Sequence, residues 1–162
     1  MKHNSIKTNW RTYSFWIVLT EAVGALAGWL TREGTVLYRT GITKPPLSPP
    51  AIVFPIVWTI LYALMGVSAA RISLQEPSVA RSGSLHLYVI QLIVNFFWSL
   101  IFFNLQAFGG ALIWLIALWV LILWMILSFR KLDPLAAWLQ VPYLAWVTFA
   151  GYLNAGVWLL NP

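Results

Sequence analysis

The chain has 162 residues, 60% apolar and 9% charged, with 11 Trp, 9 Phe, 6 Tyr and no Cys. A soluble domain gives about a quarter of its positions to Asp, Glu, Lys and Arg, because its surface must be hydrated; 14 such residues exclude most soluble classes here. The net charge of +6 does not argue for nucleic acid, because Arg11, Arg32, Arg71, Arg81, Arg130 and Lys131 sit at the edges of apolar runs, where cations anchor spans and set topology. Without Cys there are no disulfides, thiol catalysis or zinc-thiolate sites.

The fold class expected is all-α, an integral membrane bundle of five transmembrane helices in a single domain, residues 1–162. The first span runs over 13–30 and is interrupted by Glu21. That interruption, with four further spans behind it, makes a retained helix a simpler reading than a cleaved signal peptide. A long first loop, 31–50, precedes a second span over 51–70, which carries no charge. From Ser82 to Phe129 runs an uncharged stretch of 48 residues. As one helix it would be about 72 Å long against about 30 Å of hydrocarbon, so it must double back. Asn104 to Gly110 is the turn, which leaves spans at 85–103 and 111–129. The fifth, 134–160, starts with a capping Asp133 and Pro134 at the first helical position. Its interior Pro142 predicts a kink.

Five spans put the termini on opposite faces. Lys2, Lys7, Arg11, Arg71, Arg81, Arg130 and Lys131 share one face, and Arg32, Arg39 and Lys44 the other. The excess predicts a cytoplasmic N-terminus, with the first loop and the C-terminus outside.

Glu21 sits near the middle of the first span, where an unpaired carboxylate is costly and turns to the bundle interior. Gly24 and Gly28 follow on the same face as a small-xxx-small pair, able to pack within one chain or between two. Two readings are open for Glu21: a proton- or ligand-binding group, or a neutral carboxyl hydrogen-bonded to a neighbour such as Gln91 or Asn95. In the third span Gln91, Asn95, Trp98 and Phe102 form one stripe that lipid would not accept, so it faces protein or a pocket. Interhelical hydrogen bonding accounts for the two amides as well as a site does. Phe54, Trp58 and Tyr62 in the second span, and Tyr143, Trp146, Ala150 and Asn154 in the fifth, form aromatic walls. Flat polarizable faces with few polar groups suit a large planar apolar ligand, although plain aromatic packing would show the same pattern. Trp10, Trp29, Trp138 and Trp158 lie at span ends and read as an interfacial belt. His3 and His86 have no second His, Cys or carboxylate at ligand spacing, so no metal or cofactor is expected.

Several blocks together resemble a known family. Lys44-Pro45-Pro46-Leu47-Ser48-Pro49-Pro50, followed by Phe54, Trp58, Leu61-Tyr62 and Met65-Gly66, resembles the first loop and second helix of the translocator protein family, also called tryptophan-rich sensory protein or peripheral-type benzodiazepine receptor. Gln91-Leu92, Asn95, Trp98 and Phe102-Phe103 agree, as do Pro134 to Ala137, Pro142 to Trp146, Phe149-Ala150 and Leu153-Asn154. The resemblance implies a bundle that binds tetrapyrroles such as protoporphyrin IX and haem, sterols, and isoquinoline carboxamide or benzodiazepine-type drugs. It implies a pocket covered by the first loop and lined by Trp58, Asn95, Trp98, Trp146 and Ala150. It also implies a homodimer in a bacterial or mitochondrial membrane. Trp58 and Trp146 match the residues tied, in similar bacterial proteins, to light-dependent porphyrin breakdown, the one catalytic role the resemblance offers.

The chain also departs from the family. Tyr38-Arg39 stands where the loop commonly reads Trp-Tyr, Leu47 replaces a Trp, and Gly110 stands where animal members place a ligand-contacting Trp. Trp114, one turn on, could substitute for that ring. The C-terminal run from Ala155 to Pro162 holds neither the Tyr nor the basic residue of the proposed sterol motif, which favours a bacterial-type member in a bacterial cell membrane.

Overall fold

The structure is a computed structural model that describes residues 3–162, with side chains from Asn9 onward. Lys2 and the side chains of His3 and Lys7, which entered the charge and metal arguments, lie outside the described residues. The elements are α1 (His3–Leu30), α2 (Arg32–Gly41), α3 (Val53–Ser73), α4 (Val79–Ser99) running on into a π-helical turn at Leu100–Asn104, α5 (Phe108–Arg130), α6 (Pro134–Trp138) and α7 (Val141–Leu160). There is no strand among the described residues.

Five helical segments are long and apolar enough to cross a membrane: Asn9–Leu30, Val53–Ser73, Val79–Asn104, Phe108–Arg130 and Pro134–Leu160. The third starts at Val79 rather than near Leu85, because the Ser78 side chain accepts from Arg81 N at 3.1 Å and caps the helix there. It ends in a wide turn in which Leu105 N reaches back to Leu100 O at 3.1 Å. This five-residue closure points Phe102 and Phe103 toward α2. The first loop is partly helical. Its segment α2 turns Thr31, Thr35 and Tyr38 to one side, each lining the cavity described below.

In the fifth segment Asp133 caps α6 through Leu135 N (3.0 Å) and Ala136 N (3.3 Å), and pairs with Arg71 Nε at 2.8 Å. Pro142 does more than bend the helix. It lacks the N–H that would bond the Trp138 carbonyl, and the chain breaks into α6 and α7 at Leu139–Gln140.

Helix α1 packs on α3, and α5 fills the space between α4 and α7. The core is apolar, with Met65, Ile72, Leu118, Ile122, Met125, Phe129, Val147 and Val157 fully buried. Trp10, Trp29, Trp138 and Trp158 are 48–68% exposed, as lipid-edge rings require.

Candidate ligand cavity

A cavity of about 620 Å³ lies in the loop-side half of the bundle. Its walls are the C-terminal half of α1, the inner face of α2, the first turns of α3, the end of α4 with its π-turn, and α7. Helix α5 contributes no lining residue, because it is packed behind α4 and α7.

Of the residues expected at a site, Phe54, Trp58, Tyr62, Trp98, Trp146, Ala150 and Asn154 line this cavity. Trp58 stacks on Tyr62 (centroids 5.2 Å, 28°), Trp146 meets Phe54 edge-on at 5.9 Å, and Trp98 stacks on Phe102 at 5.2 Å. The Trp98 ring is held in place from behind: its Nε1 donates to Asn154 Oδ1 (3.2 Å), whose Nδ2 donates to Phe108 O (2.8 Å).

The other three, Gln91, Asn95 and Tyr143, do not line the cavity. They are buried behind Trp58 and Tyr62 in a polar chain: Tyr62 OH donates to Asn95 Oδ1 (3.3 Å), Asn95 Nδ2 to Tyr143 OH (2.7 Å), and Tyr143 OH to Gln91 Oε1 (2.8 Å). In an apolar bundle these groups bond to one another, with Gln91 Nε2 alone among them left unpartnered, which makes them the interhelical bonds of α3, α4 and α7. The Tyr143 ring still supports the cavity wall, edge-on to Trp58 at 6.2 Å.

The same chain corrects the partner expected for Glu21. With Asn95 bonded to both tyrosines and Gln91 to Tyr143, neither amide bonds Glu21, which lines the cavity instead. Gly24 packs within the chain, since a Cβ there would run into the Tyr62 ring. A Cβ on Gly28 would meet nothing within 4 Å, because Gly28 borders the open cavity. Trp114 is not a substitute wall: its Nε1 donates to Val94 O at 2.8 Å on the flank of α4, outside the cavity.

The first loop forms the remaining wall. Tyr38 packs against Phe102 and Phe103, and burial pushes its phenol above the ordinary value, so the hydroxyl stays neutral. Lys44 Nζ donates to Arg39 O (3.0 Å) and lies over the Tyr38 ring at 5.2 Å. The loop is clipped to α7 by Asn161, which accepts from Thr43 N (3.0 Å) and donates to Thr43 O (2.8 Å), and by Tyr152 OH donating to Pro46 O (2.7 Å). A Cβ at Gly156 would lie 2.5 Å from Pro45 Cβ, so only glycine permits this approach. Sequence reasoning missed Tyr38, Phe103, Leu153 and Gly28 as lining residues. For Tyr38 a signal existed: its i+4 and i+7 spacing from Thr31 with Thr35 on α2.

Five apolar helices, four of which wall an aromatic-lined cavity closed on one side by a helical loop, define a multi-pass membrane protein with an intramembrane ligand-sized pocket. Residues 16–159 match the TspO/MBR family, and the chain belongs to it. It is 41% identical over 123 residues to Protein CrtK of Rhodobacter capsulatus, covering 75% of this chain and 76% of that one. It is 36% identical over 156 residues to the Tryptophan-rich protein TspO of Chlorobaculum tepidum (93% and 96%), and 31% identical over 140 residues to the Translocator protein of Bos taurus (85% and 83%). Family and helices together make it an integral membrane protein.

Proposed function

We propose that the protein binds tetrapyrroles such as protoporphyrin IX and haem, and other flat apolar ligands, and acts in their sensing, buffering or transport. The observation that carries this is the cavity itself: about 620 Å³, walled by the rings of Trp58, Trp98, Trp146, Phe54, Tyr62 and Phe102. Such a volume lies within the range of ligand pockets, and flat rings stack on flat ligands without needing a metal ligand from the protein. Sterols and isoquinoline carboxamide or benzodiazepine-type drugs would compete for the same walls. Titration of the purified protein with protoporphyrin IX, read by Trp fluorescence, tests the reading. Saturable quenching that weakens in Trp58→Phe with Trp146→Phe supports it; absence of saturable quenching overturns it.

A second reading is light-dependent oxidative degradation of bound protoporphyrin IX, with Trp58 and Trp146 as its catalytic residues. It is favoured by both indoles facing one cavity, where each would lie against a bound porphyrin. Illumination of the complex in air separates the two readings: a binder returns intact porphyrin, whereas degradation yields a new product that disappears in the double Trp→Phe variant.

The charge asymmetry supports a cytoplasmic N-terminus with the C-terminus outside, and the run Ala155 to Pro162, without Tyr or a basic residue, supports a bacterial cell membrane. A C-terminal reporter active on the cytoplasmic side would refute that orientation. Homodimerisation is part of the proposal, and cross-linking in membranes tests it.

A further inference from the structure

The charged groups of the cavity are sorted by depth. Arg32, Arg39 and Lys44 line its loop end, and Glu21 is its one acidic lining residue among those described. Nine residues, about 14 Å of helix rise, separate Glu21 from the end of α1 at Leu30. The three cations differ in their freedom. Arg32 leans on Trp29, with its guanidinium 4.9 Å from the ring and Nη1 on Trp29 O, and lies 3.7 Å from Glu33. Lys44 is steadied by Arg39 O and the Tyr38 ring, and pairs with no carboxylate among the described residues. The Arg39 guanidinium forms no ion pair among the described residues. No described side chain hydrogen-bonds or ion-pairs Glu21, although it lies mid-span, where an unsatisfied carboxyl is costly.

We propose that this polarity is the cavity's specificity device: Arg39 and Lys44 take the carboxylates of a planar ligand at the loop end, and Glu21 excludes carboxylates from the deep end. The inference rests on the tetrapyrrole reading above and adds to it which tetrapyrroles are accepted. A porphyrin with two carboxylates on one edge enters with that edge outward. Its opposite, apolar edge then lies beside Trp58 and Glu21. A porphyrin with carboxylates on every edge must bury at least one against Glu21, where both like charge and the apolar surroundings oppose it. The carboxylates at the mouth instead meet two cations near water, in charge-assisted hydrogen bonds.

Three probes test this on the full-length protein: protoporphyrin IX, its neutral dimethyl ester, and coproporphyrin, whose four carboxylates surround the ring. Affinities are read by Trp quenching. The wild type is expected to prefer protoporphyrin IX over both others. Glu21→Gln raises the ratio of coproporphyrin to protoporphyrin affinity by about tenfold, while Arg39→Gln with Lys44→Gln lowers the ratio of protoporphyrin to ester affinity by about tenfold, each the size of one charged contact. Because each result is a ratio within one variant, a partly misfolded preparation does not mimic it. If protoporphyrin binding is saturable but both ratios stay at wild-type values, the charge sorting is refuted and the tetrapyrrole reading stands. If no probe binds saturably to the wild type, both fall.

Discussion

Tyr143→Phe removes one oxygen from a fully buried polar group in the bundle. The residue is 0% exposed, and its hydroxyl both accepts from Asn95 Nδ2 at 2.7 Å and donates to Gln91 Oε1 at 2.8 Å. Phenylalanine keeps the ring and its edge contact with Trp58, but leaves an amide donor and an amide acceptor unpaired where water and lipid supply nothing. Interhelical hydrogen bonds in membranes are worth about 0.6 kcal/mol on average, and an orphaned buried polar group costs about 1–3 kcal/mol, so the loss should be about 2 kcal/mol. For a chain of this size that lowers Tm by about 4–8 °C. Thermal unfolding of the detergent-solubilised protein, followed by near-UV circular dichroism, measures it. Adding Gln91→Leu removes the orphaned acceptor, together with Gln91 Nε2, which is unpartnered already, and should recover part of the loss. A Tm within 1 °C of wild type for Tyr143→Phe would refute the account of Gln91, Asn95 and Tyr143 as the bonds that join α4 to α7.

Gly28→Leu places an isobutyl group in the open cavity, so protoporphyrin quenching should weaken at least about tenfold while Tm holds or rises slightly, since glycine is a poor helix residue. Gly24→Ala drives a methyl into the Tyr62 ring and should cost about 1–3 kcal/mol, seen as a lower Tm. Asn161→Ala opens the clip on Thr43, and hydrogen exchange at residues 42–46 should accelerate while exchange in α5 stays unchanged.

The membrane class and the number of helices were legible in the chain because both follow from local chemistry. A 48-residue stretch without charge has nowhere to lie but in lipid, and its length forces a turn. Asp133-Pro134 marked a helix start that the structure caps as expected. The aromatic residues Phe54, Trp58, Tyr62, Trp98 and Trp146 were legible as a group, because ring spacing on a helix determines which face they share.

Which faces meet is a property of packing, and periodicity along one helix carries no information about it. Gln91 and Asn95 share a stripe with Trp98, yet the helices close around the two amides and leave the indole open to the cavity. Gly24 and Gly28 are equivalent in sequence, but one receives the Tyr62 ring and the other borders empty space. The helix in the first loop and the π-turn at Leu100–Asn104 each depend on hydrogen bonds that the local sequence only permits. From composition and the spacing of its charges and turns the chain is a five-helix membrane protein rich in rings. Tertiary contacts determine which rings face the cavity, and they leave Glu21 lining it without a hydrogen-bond partner among the described residues, because Asn95 is bonded to both tyrosines and Gln91 is buried beyond them, held by Tyr143.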